Sequence, residues 1–283
     1  MRLDIDLLRS WIGKTESLVD TVAMVPVLAL SAAIERDDPP QRGDPLPPLW
    51  HWLYFLPIAR PSELGADGHP ARGGFLPPVP LPRRMWAGGR LDFHRPLYVG
   101  DSITRVSRID DVSAKQGRSG ALVFVRVHHE ISGRGALAIA EEHDIVYREP
   151  PSGKEPPSAR KPAPAEFAWR REVHPDPVML FRYSALTFNG HRIHYDRRYA
   201  TEVEGYPGLV VHGPLIATLL LDLLRRNLPD AQVSRFSFRA LRPLFDTAPF
   251  YIYGMPRPDG RRVALWARDA EGRATVEAQA DVS

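Results

Sequence analysis

One apolar segment constrains the fold more than any other part of this chain. Residues 215–229 read LIATLLLDLLRRNLP, and they follow directly on His212, Gly213 and Pro214. A proline at the first helical position and another at the end are typical of a helix over this range. Such a helix is apolar on nearly every face and must be buried on nearly every face. Strand-like runs follow at 233–245, 248–256, 261–268 and 274–282, so we expect an antiparallel sheet wrapped around the helix.

The first half of the chain shows the same order of elements. Residues 15–36 are predicted to form a mostly apolar helix, with a kink or a break at Pro26. The tripeptide Arg-Pro-Leu at 95–97 recurs at 242–244, after the apolar helix in each half. The strand-like runs of this half lie at 91–101, 102–115, 121–132 and 137–149. We therefore predict an α+β protein built from a duplicated unit.

Proline marks the irregular parts of the chain. Its 29 prolines cluster at 39–48, 57–61, 77–82 and 150–163. Such clusters disfavour helices and central strands, so residues 37–87 are expected to be irregular and 150–166 to form a linker. The division predicted from these signals is 1–149, a linker at 150–166, and 167–283.

Composition excludes several classes of function. The chain has no cysteine, which removes disulfides, thiol nucleophiles and thiolate metal sites. Its net charge of +3 is spread without a basic run, so nucleic-acid binding is not expected, whereas a small phosphate-bearing ligand fits the scattered arginines. The longest apolar runs are shorter than the roughly 20 residues that span a bilayer. The acidic start MRLDIDLLRS does not resemble a secretory signal, so no membrane partner and a cytoplasmic location are expected.

The segment TFNGHRIHYD at 187–196 concentrates chemically active side chains. It could be a metal site, an acid/base cluster or a polar loop. His191 and His194 have a spacing that zinc ligands sometimes use, but the segment has no helical pattern and no HExxH motif. The segment 208–215, GLVVHGPL, begins the buried helix about twenty residues later. A helix start offers unpaired N–H groups that can hold a developing oxyanion, which favours the acid/base interpretation.

Residues 183–196, YSALTFNGHRIHYD, resemble the hydratase-2 motif of the MaoC-type hotdog hydratases and dehydratases. VVHGPL at 210–215 resembles the His-Gly-Met-Leu helix start of that family. The sequence of the motif is more similar to the branch that contains 3-hydroxyacyl-thioester dehydratase type 2 and the mesaconyl-C4-CoA and itaconyl-CoA hydratases. Residues 89–109 and 118–132 resemble the degenerate N-terminal hotdog of the same branch. The resemblance implies a double hotdog with its active half at the C-terminus.

The resemblance also implies roles for three catalytic residues. His194 takes the place of the catalytic histidine, and the Gly213 amide takes that of the N–H that polarises the thioester carbonyl. Asn189 stands where the broader family has its catalytic aspartate. Because an amide cannot accept a proton, we expect Asn189 to orient water and His194 to take and return the proton. Asp196 is a candidate orienter of the histidine. No metal and no redox cofactor is expected.

The substrate-binding candidates each have two interpretations. Arg192 either pairs with the distal carboxylate of a C5 dicarboxylyl-CoA or forms a structural ion pair. Tyr183 and Ser184 either line the pocket or pack in the core, and His212 precedes the helix start. Trp50, His51 and Trp52 either cover an acyl tunnel or form an aromatic core cluster. The remaining strand histidines are treated as structural: His128, His129 and His143.

Three functions fit these residues. The first is hydration of a short branched or dicarboxylic enoyl-CoA, with mesaconyl-C4-CoA or itaconyl-CoA favoured as substrate. The second is dehydration of 3-hydroxyacyl thioesters in fatty-acid synthesis. The third is a non-catalytic acyl-thioester-binding protein, because the aspartate expected at Asn189 is absent. Since hotdog sheets commonly pair edge to edge, a homodimer is also expected.

Overall fold

The computed structural model describes residues 3–117, 120–149 and 164–283, and in these ranges the strands form one continuous antiparallel sheet. The sheet order is β1-β3-β4-β5-β2-β7-β10-β9-β8-β6. The strands are β1 (Thr15–Thr21), β2 (Arg83–Phe93), β3 (Ser102–Gly117), β4 (Gly120–Gly133), β5 (Ala136–Arg148), β6 (Trp169–Val173), β7 (Val233–Ala240), β8 (Phe250–Pro256), β9 (Arg262–Arg268) and β10 (Ala274–Val282). The helices are α1 (Ile5–Arg9), α2 (Met24–Ala33), α3 (Pro177–Leu186) and α4 (Gly213–Asn227).

The two halves of the chain meet where β2 pairs with β7. Gly88 lies opposite Arg239 and Gly89 opposite Phe238 in this ladder. A Cβ on Gly88 would stand 2.5 Å from the Phe238 carbonyl oxygen, which explains why glycine occupies this position. The five strands of the first half and the five described strands of the second therefore become one sheet. Both Arg-Pro-Leu tripeptides follow directly on these two joining strands, in irregular segments with the same pattern of turns.

Helix α4 occupies the concave side of the second half, as the sequence predicts. Its residues from Leu215 to Leu224 are buried against β6, β8, β9 and β10. Burial of each such leucine contributes about 1.5–3 kcal/mol. One charged residue, Asp222, lies within this apolar surface. It pairs with Arg36, Arg171 and Arg226 at 3.0, 3.0 and 2.7 Å. Three arginines therefore satisfy the one buried carboxylate of the helix.

Several element predictions are wrong. Residues 15–36 do not form one helix, because Thr15–Thr21 forms a strand that pairs with β3 along its whole length. Helix α2 begins at Met24, so Pro26 falls in its first turn, where no backbone N–H is needed and no kink follows. The strand expected at 91–101 instead spans Arg83–Phe93, so residues 83–87, which were expected to be irregular, belong to it. The strand expected at 233–245 ends early, at Ala240. Helix α3 and strand β6 were not predicted.

The proline-rich segment covers the sheet of the first half instead of forming a separate layer. Its apolar side chains are buried against that sheet and α2: Leu49, Trp50, Leu53, Tyr54, Phe55, Val79 and Leu81. Its loop at 61–71 crosses to the second half, where the Asp67 carbonyl accepts a hydrogen bond from the Arg192 N–H at 2.9 Å. The predicted linker at 150–166 lies mostly outside the described residues. No helix in the described ranges is both long enough and apolar enough to span a membrane.

Candidate active site

Helix α3 and two tight turns position the motif at 187–196. Asp176 caps the start of α3 by accepting a hydrogen bond from the Met179 N–H at 2.7 Å. The helix ends at Leu186, and Phe188 then adopts a left-handed conformation with φ of 47°. A short 3-10 turn, Arg192–His194, completes the motif. The segment is therefore compact rather than extended, and its side chains converge.

His194 is buried and held in one tautomer. Its Nδ1 lies 2.7 Å from the Val210 carbonyl oxygen, and a carbonyl can only accept, so Nδ1 carries the proton. The second nitrogen, Nε2, is consequently a bare acceptor. Burial lowers the pKa of His194 to about 4, although the bond to Val210 opposes this change. His194 is thus a neutral base at pH 7. Asp196, the predicted orienter, does not contact it.

His212 stacks on His194 at the start of α4. The ring centroids are 3.7 Å apart and the planes are inclined by 18°. Ser184 Oγ lies 2.8 Å from His212 Nε2, while the buried Nδ1 of His212 has no partner among the described residues. Burial lowers the pKa of His212 well below its usual value. Tyr183 is buried against the other side of His212, at 5.0 Å between ring centroids, so it supports this ring from the core.

Two further histidines extend this stack toward the proline-rich loop. His191 lies 5.4 Å from His194 and 4.1 Å from His69, measured between ring centroids. His69 Nδ1 in turn lies 3.1 Å from Asp67 Oδ2. We call His69, His191, His194 and His212 the histidine column. Burial lowers the pKa of His191 to about 2, with the neighbouring histidines adding to the effect, so the column is uncharged at neutral pH.

Asn189 uses its side-chain oxygen to close the turn. Its Oδ1 accepts a hydrogen bond from the His191 N–H at 3.0 Å. This leaves the amide NH₂ group as a donor. This group can hold the oxygen of a water molecule but cannot take a proton from it.

The start of α4 places helix N–H groups next to the column. Gly213 and Pro214 are half-buried, whereas His212 and Leu215 on either side are fully buried. The helix therefore presents its first N–H groups and its positive dipole end to accessible space. The Trp86 carbonyl oxygen from β2 lies 3.9 Å from the place that a Cβ on Gly213 would take.

Arg192 forms the structural ion pair, and its side chain is 40% exposed. Its Nη2 lies 2.8 Å from Asp196 Oδ2, and its Nη1 donates to the Ala66 carbonyl at 3.1 Å. The guanidinium also stacks over the Tyr199 ring at 4.2 Å. These contacts fasten the motif to the proline-rich loop.

Of the two predicted tryptophans, Trp50 lies in the core and Trp52 lies nearer the site. Trp50 is buried in the core beside Arg225, whose guanidinium carbon lies 5.7 Å from its ring. Trp52 is half-buried, donates to Glu141 Oε1 at 2.8 Å and packs on Trp86 with centroids 4.9 Å apart. Trp52 therefore lies behind the strand that borders Gly213.

Glu141 is the centre of a buried polar network in the first half. Its carboxylate is bonded by Trp52 Nε1, by His51 Nε2 at 2.9 Å and by His143 Nε2 at 2.5 Å. Burial alone raises the pKa of Glu141, but His143 and His51 lower it well below its usual value. His143 also packs on Trp86, with centroids 4.0 Å apart, so this network supports strand β2 beside the start of α4.

One group in the site has the residue types of a metal centre. Asp67, His69 and His191 each place a ligand-capable atom within 4.8 Å of the others. In this structure Asp67 and His69 are bonded to each other. His191 and His194, the pair with the sequence spacing of ligands, have perpendicular rings instead of converging nitrogens.

Sequence reasoning missed the contributions of the first half. Asp67 and His69 lie in a proline-rich segment with no motif, and Trp86 and Glu141 carry no recognisable spacing. For Asp67 and His69, the only signal in the sequence is the Asp-Gly-His triplet at 67–69 in a loop. That triplet does not reveal which part of the fold it contacts.

Comparison with known proteins identifies the family of the chain. The family model described as "Hydroxyacyl-thioester dehydratase type 2" matches residues 49–246, which include the histidine column and the start of α4. The chain belongs to this family. The resemblance seen in the motif at 183–215 is thereby confirmed.

Two relatives and one solved structure extend the comparison of this hydroxyacyl-thioester dehydratase type 2 family member. The "Mesaconyl-C(4)-CoA hydratase" of Chloroflexus aurantiacus is 49% identical, over 96% of this chain and 97% of that protein. The mitochondrial "Hydroxyacyl-thioester dehydratase type 2" of Schizosaccharomyces pombe is 32% identical, over 73% and 77%. A Mycobacterium tuberculosis protein described as a double hotdog fold matches at a TM-score of 0.55 and 16% identity, over 96% of each chain. The predicted double hotdog is confirmed.

Proposed function

We propose that this chain catalyses the reversible hydration of a short branched or dicarboxylic enoyl-CoA to the 3-hydroxyacyl-CoA. Mesaconyl-C4-CoA and itaconyl-CoA are the favoured types of substrate. The 49% identity to the Chloroflexus aurantiacus hydratase over nearly the whole chain supports this choice. The structural observation that carries it is His194, whose Nδ1 bond to Val210 leaves Nε2 as a bare base next to the start of α4.

Hydration requires a group that takes a proton from water as the water attacks Cβ. His194 Nε2 accepts that proton, and the Asn189 NH₂ group holds the water oxygen. Because burial keeps the pKa of His194 low, the imidazolium that forms is a strong acid, and it returns its proton to Cα on the same face. General acid–base transfer of this kind contributes about 10²–10⁴-fold.

The reaction also develops negative charge on the thioester oxygen. The Gly213 N–H at the first position of α4 donates to this oxygen, and the helix dipole adds to its stabilisation. Because Pro214 has no N–H, no donor on the next residue competes with the Gly213 N–H for this oxygen. The uncharged histidine column keeps this region free of a fixed cation until the proton is transferred.

The test is turnover of a panel of enoyl-CoAs by the purified chain, followed as loss of enoyl-thioester absorbance. His194→Ala is expected to abolish hydration while circular dichroism and binding are retained. His174→Ala is the matched control, because its side chain is exposed and remote from the motif. Full activity of His194→Ala would contradict the assignment of the base. Binding without turnover by the unaltered chain would favour a non-catalytic thioester-binding protein.

A second candidate is the reverse reaction on 3-hydroxyacyl thioesters in fatty-acid synthesis. The family description and the Schizosaccharomyces pombe relative favour it. The same base and the same oxyanion site would serve, since hydration and dehydration share one transition state. A rate that rises with the chain length of unbranched 3-hydroxyacyl thioesters would support this candidate over the first.

We assign the catalytic role to the second half, 167–283, and a supporting role to the first, 1–149. The second half contributes His194, Asn189 and Gly213, and the first contributes the proline-rich loop and Trp86. An acyl-CoA is the expected partner. A homodimer and a cytoplasmic location stay predictions, and sedimentation of the purified chain tests the first of them.

A further inference from the structure

The ion pair between Arg192 and Asp196 leaves open which group receives a substrate carboxylate. Two arginines begin strand β2. Arg83 is paired with Glu204 at 2.9 Å. Arg84 is half-buried, and no carboxylate of the described ranges forms an ion pair with it. A guanidinium that is partly withdrawn from water without a counter-ion is unfavourable, and a bound anion relieves that cost.

Arg84 lies on the strand that borders the oxyanion site. It precedes Trp86 by two residues, so both side chains project from the same face of the sheet. Two strand residues span roughly 7 Å, which places Arg84 about that far along β2 from the carbonyl next to Gly213. Burial is the main cause of the low pKa of His69 and of His191, and the charge of Arg84 lowers both further. Arg84 is therefore close to the histidine column as well.

A buried hydroxyl stands beside Arg84. Tyr147 is its direct neighbour across the β2–β5 ladder, where facing Cβ atoms are about 5 Å apart. The Tyr147 side chain is fully buried, its hydroxyl lies next to the Arg84 guanidinium, and it donates no hydrogen bond to any described residue. Burial raises the pKa of Tyr147 and the Arg84 charge opposes the rise, so the phenol keeps its proton. It is a donor that lacks an acceptor.

Arg72 cannot fill this role, although its guanidinium carbon lies 5.5 Å from the Tyr147 ring. Its N–H groups donate to the Val79, Leu81 and Pro82 carbonyls. Arg72 therefore holds the proline-rich segment against the sheet. Arg84 and Tyr147 remain as a cation and a neutral donor on one face.

We propose that Arg84 and the Tyr147 hydroxyl form the receptor for a carboxylate attached to Cβ of the acyl group. This inference rests on the proposed function and names the substrate class of the same site. In mesaconyl-C4-CoA the free carboxylate is bonded to the carbon that water attacks, so its receptor has to lie beside the base. A guanidinium donates two parallel N–H groups to a carboxylate, and the phenol donates a third.

The test uses two unreactive acyl-CoAs that differ in one group. Methylsuccinyl-CoA with its thioester at C4 carries a carboxylate where isovaleryl-CoA carries a methyl group. Calorimetry of the full chain is expected to show tighter binding of the carboxylate ligand. Arg84→Gln should weaken that ligand by roughly 100-fold or more, and Tyr147→Phe by about 10-fold, with isovaleryl-CoA changed less than threefold.

Arg83→Gln and Arg192→Gln are the matched controls, because each of these arginines is already paired. Equal weakening of both ligands by Arg84→Gln, or loss of the preference in Arg192→Gln alone, would overturn the receptor. If the unaltered chain hydrates mesaconyl-C4-CoA but shows no preference for the carboxylate ligand, this inference fails and the proposed function stands. If it hydrates no enoyl-CoA at all, the proposed function fails.

Discussion

The imidazole rings of His194 and His212 are stacked face to face, with centroids 3.7 Å apart. Both rings are buried, and each has one nitrogen fixed by a neighbour, the Val210 carbonyl for one and Ser184 Oγ for the other. A proton on either ring would place a charge against its buried neighbour. The two stacked neutral rings therefore keep each other's affinity for protons low.

This relationship predicts a stability that falls with acid. The pKa of His194 is about 4 in the folded chain, against about 6.5 when unfolded. The stability that comes from the neutral ring is complete above pH 6.5, and it decreases as the pH falls toward 4, because the unfolded chain binds the proton first. The loss is roughly 1.4 kcal/mol per pH unit for one such histidine.

Urea unfolding at pH 7.5, 6 and 5 measures this loss. The midpoint should decrease steadily below pH 6.5, and the decrease should be smaller in His194→Gln. A midpoint that is constant from pH 7.5 to 5 would contradict the low pKa of the column.

A carboxylate at position 189 should change the pH profile without unfolding the motif. Asn189→Asp keeps the oxygen that accepts from the His191 N–H. Its negative charge favours protonation of His191 and His194 and so raises the pKa of both. The acid limb of kcat/KM is expected to move to higher pH. Asn189→Ala, which loses the acceptor, should instead lower activity at every pH. Identical pH profiles for Asn189→Asp and the unaltered chain would contradict the expected effect of a charge at position 189 on His191 and His194.

The sequence predicts the second half of this molecule better than the first. Helix α4 and strands β7 to β10 were found because an apolar helix and short alternating runs leave few other interpretations. The segment 15–36 was misread because ESLVD and the following apolar run merge into one hydrophobic stretch. Only pairing with β3 separates the strand Thr15–Thr21 from helix α2.

In the site as well, residues within local motifs could be predicted, and contacts between residues far apart in the sequence could not. His194, Asn189 and Gly213 lie in motifs that a sequence displays directly. The tautomer of His194 depends on the Val210 carbonyl sixteen residues away, and His69 reaches His191 only through the packing of a proline-rich loop. Arg192 stands out in the sequence because it lies in the motif, whereas nothing in the sequence marks Arg84, and the ion pair of Arg192 with Asp196 is visible only in the structure.

Loss of the buried carboxylate in the first half should destabilise the chain. Glu141→Gln leaves one acceptor oxygen for Trp52, His51 and His143, so at least one buried partner is unsatisfied. The expected cost is about 3 kcal/mol in the free energy of unfolding by urea. Glu142→Gln is the matched control, because Glu142 pairs with Arg90 at the surface, where such pairs contribute at most about 1 kcal/mol. Equal effects of the two variants would mean that the network adds no stability.

The contact between the proline-rich loop and the motif predicts a selective loss of activity in Gly68→Ala. Gly68 has φ of +87°, and a Cβ there would stand 1.9 Å from the Gly190 carbonyl oxygen. The loop must move away from the motif, which displaces His69 and loosens Asn189 and His194. A displacement of about 1 Å in a catalytic group can lower kcat by roughly 100-fold.

Gly43→Ala separates this effect from backbone strain. Gly43 has φ of +90° but no atom within 4 Å of the added Cβ, so it has the same conformational cost without the collision. That cost is about 1–2 kcal/mol in both variants. We expect Gly43→Ala to keep its kcat and Gly68→Ala to lose it, with a lower midpoint of urea unfolding in Gly68→Ala because of the collision. If the two variants have equal kcat values, the docked loop does not position the histidine column.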